Sequence, residues 1–229
     1  MPSIIKYANS EQEDEVSTPI SSSSDPESVI NPLPYLQDHL QFRNFELIAA
    51  GNHAFIYKVE VSNVQEGQTA VCCLKVFKND WMVPYNLETA AYEYLLHHGV
   101  HHWIPHIYGT GVRSVAQWGL AEIDGDTDGQ YYGILMEWIE GSERLSEENV
   151  RADHIVSLVR GLVRIHDAGV LHGDPYPQNM LVVPGSSRAV WIDFSCAQVN
   201  PDEKDTEDEM KYGATRPAVW VCPRQTTDR

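Results

Sequence analysis

The run from Val170 to Ser195 constrains this chain more tightly than any other part of it. Leu181-Val182-Val183 and Ala189-Val190-Trp191-Ile192 are short apolar stretches rich in β-branched residues, separated by Pro184-Gly185-Ser186-Ser187. That pattern predicts two strands joined in a hairpin. Asn179 enters the hairpin and Asp193 leaves it, so pairing of the strands brings both side chains to the same open end. Asp174 lies in the loop that feeds the first strand. Oxygen-bearing side chains gathered on one rim are the donors that a hard divalent cation such as magnesium takes. Turn and cap residues of an ordinary α/β domain would need no ordered companions upstream, and such companions are present.

A phosphoryl group in transfer spreads negative charge over its oxygens, and a protein helps it by positioning and electrostatics more than by covalent chemistry. A carboxylate beside the attacking hydroxyl orients it and takes its proton, while a carboxamide and a second carboxylate hold metal ions against nucleotide phosphates. His172-Gly173-Asp174, with Asn179 after it and Asp193-Phe194-Ser195 beyond the hairpin, resembles the catalytic and metal-binding loops of the protein kinase-like superfamily. The Gly173 form is more similar to RIO-type kinases and to aminoglycoside and choline phosphotransferases than to regulated protein kinases, which carry Arg there. Without that Arg, no switch through a phosphorylated activation loop is expected. Ser195 stands where the family usually has Gly, which restricts the backbone of the metal loop. Tyr176 stands where protein kinases commonly place Lys and aminoglycoside-type enzymes often place His, so the acceptor stays open.

The other parts that the resemblance implies occur upstream in the family's order. Phe45 to Val61 reads as two strands around a small-residue turn and resembles a degraded phosphate-covering loop. Gly51 is kept, Ala49 and Ala54 take the other glycine positions, and Ile56 takes the Val position. Ala70 to Phe77 is an apolar strand interrupted by one charge, Lys75, and it resembles the strand whose lysine contacts nucleotide phosphates. A buried lysine needs a partner. Asn86 to Leu96 carries apolar residues at helical spacing; Glu88 near its start is the preferred partner, and Glu93, on a different face, is the alternative. Tyr131 to Gly141 resembles the strand and hinge that hold an adenine through backbone groups at Glu137 and Ile139, with Met136 behind the base. From Asn149 to Ala168, Val150, Ile155, Leu158, Val159, Leu162 and Ile165 form a helical apolar stripe closed by Gly169, and this helix presents the catalytic loop.

The resemblance runs from about residue 45 to Ser195 and implies an α+β, two-lobed kinase-like fold. Its parts are an acidic, Ser-rich tail over 1–40, an N-terminal lobe and hinge over 41–139, a truncated, mainly helical C-terminal lobe over 140–200 and an acidic segment over 201–229. The implied catalytic residues are Asp174 as base and the Lys75 and Glu88 ion pair. Nucleotide contacts fall to Gly51, Ala54, Ile56, Lys75, Met136, Glu137 and Ile139, and metal ligation to Asn179 and Asp193. The implied cofactors are ATP and Mg2+. The implied reaction moves the terminal phosphate of ATP to a hydroxyl, first of all on protein Ser/Thr. The alternatives are a small-molecule kinase and a nucleotide-binding pseudokinase, and the worn glycine loop and Ser195 favour the latter. A protein partner that completes the truncated lobe is a further expectation.

With 33 acidic against 16 basic residues the net charge is -17, which argues against nonspecific attachment to nucleic acid or to an anionic membrane. Residues 1–40 combine acids, prolines and the run Ser21-Ser22-Ser23-Ser24, and read as a disordered tail. No apolar run is long enough to span a membrane and none follows a basic N-terminal segment, so an intracellular protein is expected. Cys72, Cys73, Cys196 and Cys222 lack zinc spacing, and the adjacent pair in a strand points to opposite faces. His97, His98, His101 and His102 read as solvated, His172 as a structural tie for the catalytic loop, and Trp103, Trp138 and Trp191 as core.

Overall fold

The computed structural model describes residues 30, 32–63, 65, 67–123 and 125–200. Most of the expected tail, the acidic segment over 201–229 and Cys222 lie outside the described residues. In chain order the elements begin with strands β1 (Leu40–Ala50), β2 (Ala54–Asn63) and β3 (Gln68–Phe77), helix α1 (Met82–His97), strand β4 (Ile107–Ser114), the short helix α2 (Val115–Trp118) and strand β5 (Gln130–Glu137). They continue with β6 (Glu143–Arg144), helix α3 (Ala152–Asp167), β7 (Val170–Leu171), β8 (Met180–Val182), β9 (Ala189–Trp191) and β10 (Gln198–Val199). The first five strands form one antiparallel sheet in the order β1-β2-β3-β5-β4, while β6-β8-β9 make a smaller sheet and β10 pairs with β7. The architecture is mixed α and β, with mostly antiparallel sheet.

Alternation along the strands sorts the large sheet's side chains onto two faces. Cys72, Leu74 and Val76 of β3 join Val59, Val61, Leu135 and Trp118 in one core. Phe77 and the half-buried Cys73, on the opposite face, join Ala91, Tyr92 and Leu95 of α1 in a second core that continues to Leu158, Ile165, Trp191 and Phe194. Lys75 belongs to this second face by its place between Cys73 and Phe77. Because β3 lies between β2 and β5, Lys75 is only 6% exposed. Register sets Ile56 on one side of it and Ile134 on the other. Trp118 anchors the first core, donating from Nε1 to the Tyr131 carbonyl at 3.2 Å. Its ring lies 2.5 Å from where a Cβ on Gly133 would sit, so β5 needs glycine there.

Composition placed residues 32–40 in the acidic tail, yet this stretch is packed. Leu33, Leu36 and Leu40 are buried, Leu36 N–H donates to the Thr110 carbonyl at 2.7 Å, and Thr110 N–H donates back to Pro34 at 2.9 Å. The acids and serines further upstream dominate the average over the window and hide these leucines. Helix α1 starts at Met82, ahead of the expected Asn86, because Pro84 falls in its first turn, where a missing N–H costs nothing. Helix α3 docks through His154, Leu158, Gly161 and Ile165. Of its expected stripe, Val150, Ile155 and Val159 are instead exposed. The Trp103 ring sits 2.8 Å from where a Cβ on Gly161 would be, so the helix presents its narrowest face to the core.

Candidate functional site

Lys75 brings three elements together. Its Nζ lies 2.6 Å from Glu88 Oε2 on α1 and 2.8 Å from Asp193 Oδ1 in the loop after β9. A buried ammonium is tolerated only where opposite charge and hydrogen bonds replace water. Burial alone would lower the Lys75 pKa, but Asp193 and then Glu88 outweigh it and hold the ammonium firmly charged. Glu93, the alternative partner, points elsewhere and accepts the Leu33 N–H at 2.9 Å.

Asp193 adopts φ 64°, an uncommon left-handed conformation for a residue with a side chain. Burial would raise its carboxyl, but the Lys75 ammonium and hydrogen bonds from Lys75 and Ser195 hold it well below the usual carboxylate range. Ser195 Oγ donates to Asp193 Oδ1 at 2.6 Å. Ser195 thus helps fix the carboxylate of Asp193.

On the facing loop, Asn179 Nδ2 donates to Asp174 Oδ2 at 2.7 Å and to the Asp174 carbonyl at 2.9 Å. Both bonds use the nitrogen, which leaves the amide oxygen as the face that suits a cation. Asn179 is carried by a 3-10 turn, Pro177–Asn179, and its carbonyl accepts the Ile192 N–H at 2.9 Å, which ties the entry of the hairpin to its exit. His172 joins the two loops from beneath. Its Nδ1 accepts the Asp174 N–H at 3.4 Å, its Nε2 lies 3.2 Å from the Ile192 carbonyl, and its ring lies 4.5 Å from that of Phe194. Gly173 sits between them at φ 78°, where a Cβ would collide with the Cys196 carbonyl. A packing constraint therefore accompanies the absence of Arg from this loop.

The loop between β1 and β2 is closed by Gly51 N–H donating to the Ala54 carbonyl at 2.9 Å. Its tip is held by Lys78 N–H donating to the His53 carbonyl at 2.9 Å and by the His53 ring lying 4.1 Å from that of Trp81. Burial lowers the His53 pKa, while the Asp193 carboxylate pulls it up and the Lys75 ammonium pushes it down. Ala54 is buried and Ile56 half-buried. At the end of β5, Met136 and Ile139 are buried. Glu137 N–H donates to the His106 carbonyl at 2.8 Å, and the Glu137 carboxylate receives both arms of Arg188, at 2.7 and 2.8 Å. Arg188 was not singled out from sequence. The signal was a lone Arg between a turn and a buried strand. Trp138, expected in the core, is only half-buried; Lys58 lies 4.7 Å from its ring centroid. Its position just past the end of β5 takes it out of the sheet's alternation.

No family model matches the chain. The serine/threonine-protein kinase GRIK2 of Arabidopsis thaliana is 31% identical over 114 residues, which cover 45% of this chain and 26% of that protein. That similarity supports a kinase-like relationship. The chain spans about a quarter of the length of the curated relative that it matches. Among the described residues no helix is long and apolar enough to cross a membrane, and no three His, Cys, Asp or Glu side chains are grouped to hold a metal ion. The donor set at the loops still suits magnesium, which binds through one or two carboxylates together with phosphate oxygens and water rather than an all-protein cage.

Proposed function

We propose that this chain is an ATP-dependent phosphotransferase of the protein kinase-like type, with protein Ser/Thr as its acceptor and a two-lobed kinase-like organisation. The observation that carries the reading is the buried Lys75 ammonium shared by Glu88 and Asp193, residues far apart in the chain. Two carboxylates around one lysine form a charged centre that contributes little to a hydrophobic core and has a use where phosphates arrive.

In this reading Lys75, kept in place by Glu88, binds the nucleotide phosphates. Asn179 through its amide oxygen and Asp193 through Oδ2 hold Mg2+, which would neutralise charge on the transferring group. Asp174, fixed by Asn179 and His172, accepts the proton of the attacking hydroxyl. Met136, Glu137 and Ile139 line the base, while Gly51, Ala54 and Ile56 cover the phosphates. A second reading, a nucleotide-binding pseudokinase, is favoured by one feature: the Gly51 N–H is spent on Ala54 rather than free for a phosphate.

ATP turnover and autophosphorylation by the purified protein with magnesium, run beside Asp174→Ala and a thermal-shift titration of ATP, separate these readings. Turnover abolished in the variant is the expected result. A magnesium-dependent thermal shift without turnover selects the pseudokinase, and neither signal removes the nucleotide site.

A further inference from the structure

Glu88 uses only part of its carboxylate. Oε2 accepts from Lys75, whereas Oε1 is buried and has no hydrogen-bond partner among the described residues. One helical turn on, the Tyr92 hydroxyl is in the same condition, on a side chain that is also fully buried. The two stand at i and i+4 on α1, the spacing that sets side chains next to each other. An unpaired buried polar group is costly, and an acceptor and a donor side by side cancel each other's cost through a small side-chain adjustment. Burial is the main cause that raises both groups; beyond it, Tyr92 favours the charged Glu88 and Glu88 keeps Tyr92 protonated. The other titratable groups around the pair are Lys75 and Cys73 from β3 and Asp193 from the loop after β9. The Tyr92 ring meets Phe194, next to Asp193, edge-on at 5.2 Å. Tyr92 thus stands one helical turn from Glu88 and against the residue next to Asp193.

We propose that Tyr92 is a positioning residue: its hydroxyl donates to Glu88 Oε1 and so keeps Oε2 on Lys75. The effect on nucleotide binding rests on the reading above; the contact itself is a property of the chain alone. Without the hydroxyl the carboxylate is free to turn, Lys75 is less well placed, and MgATP binding weakens about tenfold, the worth of one hydrogen bond to a charged group.

Tyr92→Phe keeps the ring and removes only the hydroxyl. Urea midpoints of the nucleotide-free wild type, Tyr92→Phe, Glu88→Met and the double variant form a cycle. The expected result is a lower midpoint for Tyr92→Phe in the wild-type background and a clearly smaller effect beside Glu88→Met. Glu88→Gln, which keeps an uncharged acceptor, replaces Glu88→Met if the latter does not fold, with coupling of the same sign and smaller size. Additive midpoints overturn the contact. Coupled midpoints with an unchanged MgATP dissociation constant overturn the positioning role, and coupled midpoints with about tenfold weaker binding support it. A wild type that takes up no MgATP overturns the proposed function instead, while the cycle still decides the contact.

Discussion

Lys75, Glu88 and Asp193 titrate as neighbours, and their shifts divide the pH scale. Burial first, against the pull of Lys75, pushes the Glu88 carboxyl up to about 7. It holds its proton more tightly folded than unfolded, so its contribution to stability is complete below its ordinary value of 4.5 and is lost as pH rises through about 7. Asp193, held low by Lys75 in spite of burial, behaves oppositely: its contribution is present above 3.8 and is lost as pH falls further. Between pH 5 and pH 8 the wild type should therefore lose stability relative to Glu88→Gln, measured by urea unfolding at the two pH values. Equal pH dependence in the two proteins would remove the buried-carboxylate account. At this scale sequence reading singled out Lys75, Glu88 and Asp193 but left the partner of Lys75 open between Glu88 and Glu93; the folded chain puts Glu88 there. Helix periodicity states how two residues are spaced, and the phase of α1 against the sheet is set by packing.

Short elements hold the site together, and two glycines separate conformation from contact. Gly173 and Gly185 have nearly the same backbone, φ 78° and φ 79°, but a Cβ on Gly173 meets the Cys196 carbonyl whereas one on Gly185 meets open space. Gly185→Ala should cost about 1 kcal/mol, the conformational penalty alone. Gly173→Ala should cost more than about 3 kcal/mol, since backbone must move as well. Equal losses in chemical denaturation would show that the segment after Phe194 yields easily. The hairpin of β8 and β9 was legible in sequence because its β-branched runs and Pro-Gly turn are local signals, and Met180 does pair opposite Trp191. The face of α3 was not legible. Ile155, Val156, Val159 and Val163 on its outward side are as apolar as Leu158 and Ile165 inside, and the contact between Gly161 and Trp103 that orients the helix joins segments far apart in the chain.

Across the whole molecule, the pair of Glu137 and Arg188 fastens the end of the large sheet to the β8–β9 hairpin. Both side chains are partly exposed, 24% and 38%, so screening limits the pair's worth, while two parallel bonds make it more than a single surface contact. Arg188→Gln should cost about 1 kcal/mol in urea unfolding and accelerate amide exchange at the end of β5. Unchanged exchange there would show that the apolar core alone fixes the two parts. The order of the strands and helices, the hairpin that gathers Asn179 and Asp193, and the lone charge in β3 follow from local pattern: alternation, helical spacing and turn residues act over a few positions, and a single chain displays them directly. The pairing of Lys75 with Glu88, the burial of Leu33 and Leu36 and the clamp of Arg188 on Glu137 depend on which surfaces meet. Those choices come from burial and close packing between segments distant in sequence, where one residue's environment is made by others that no local window contains.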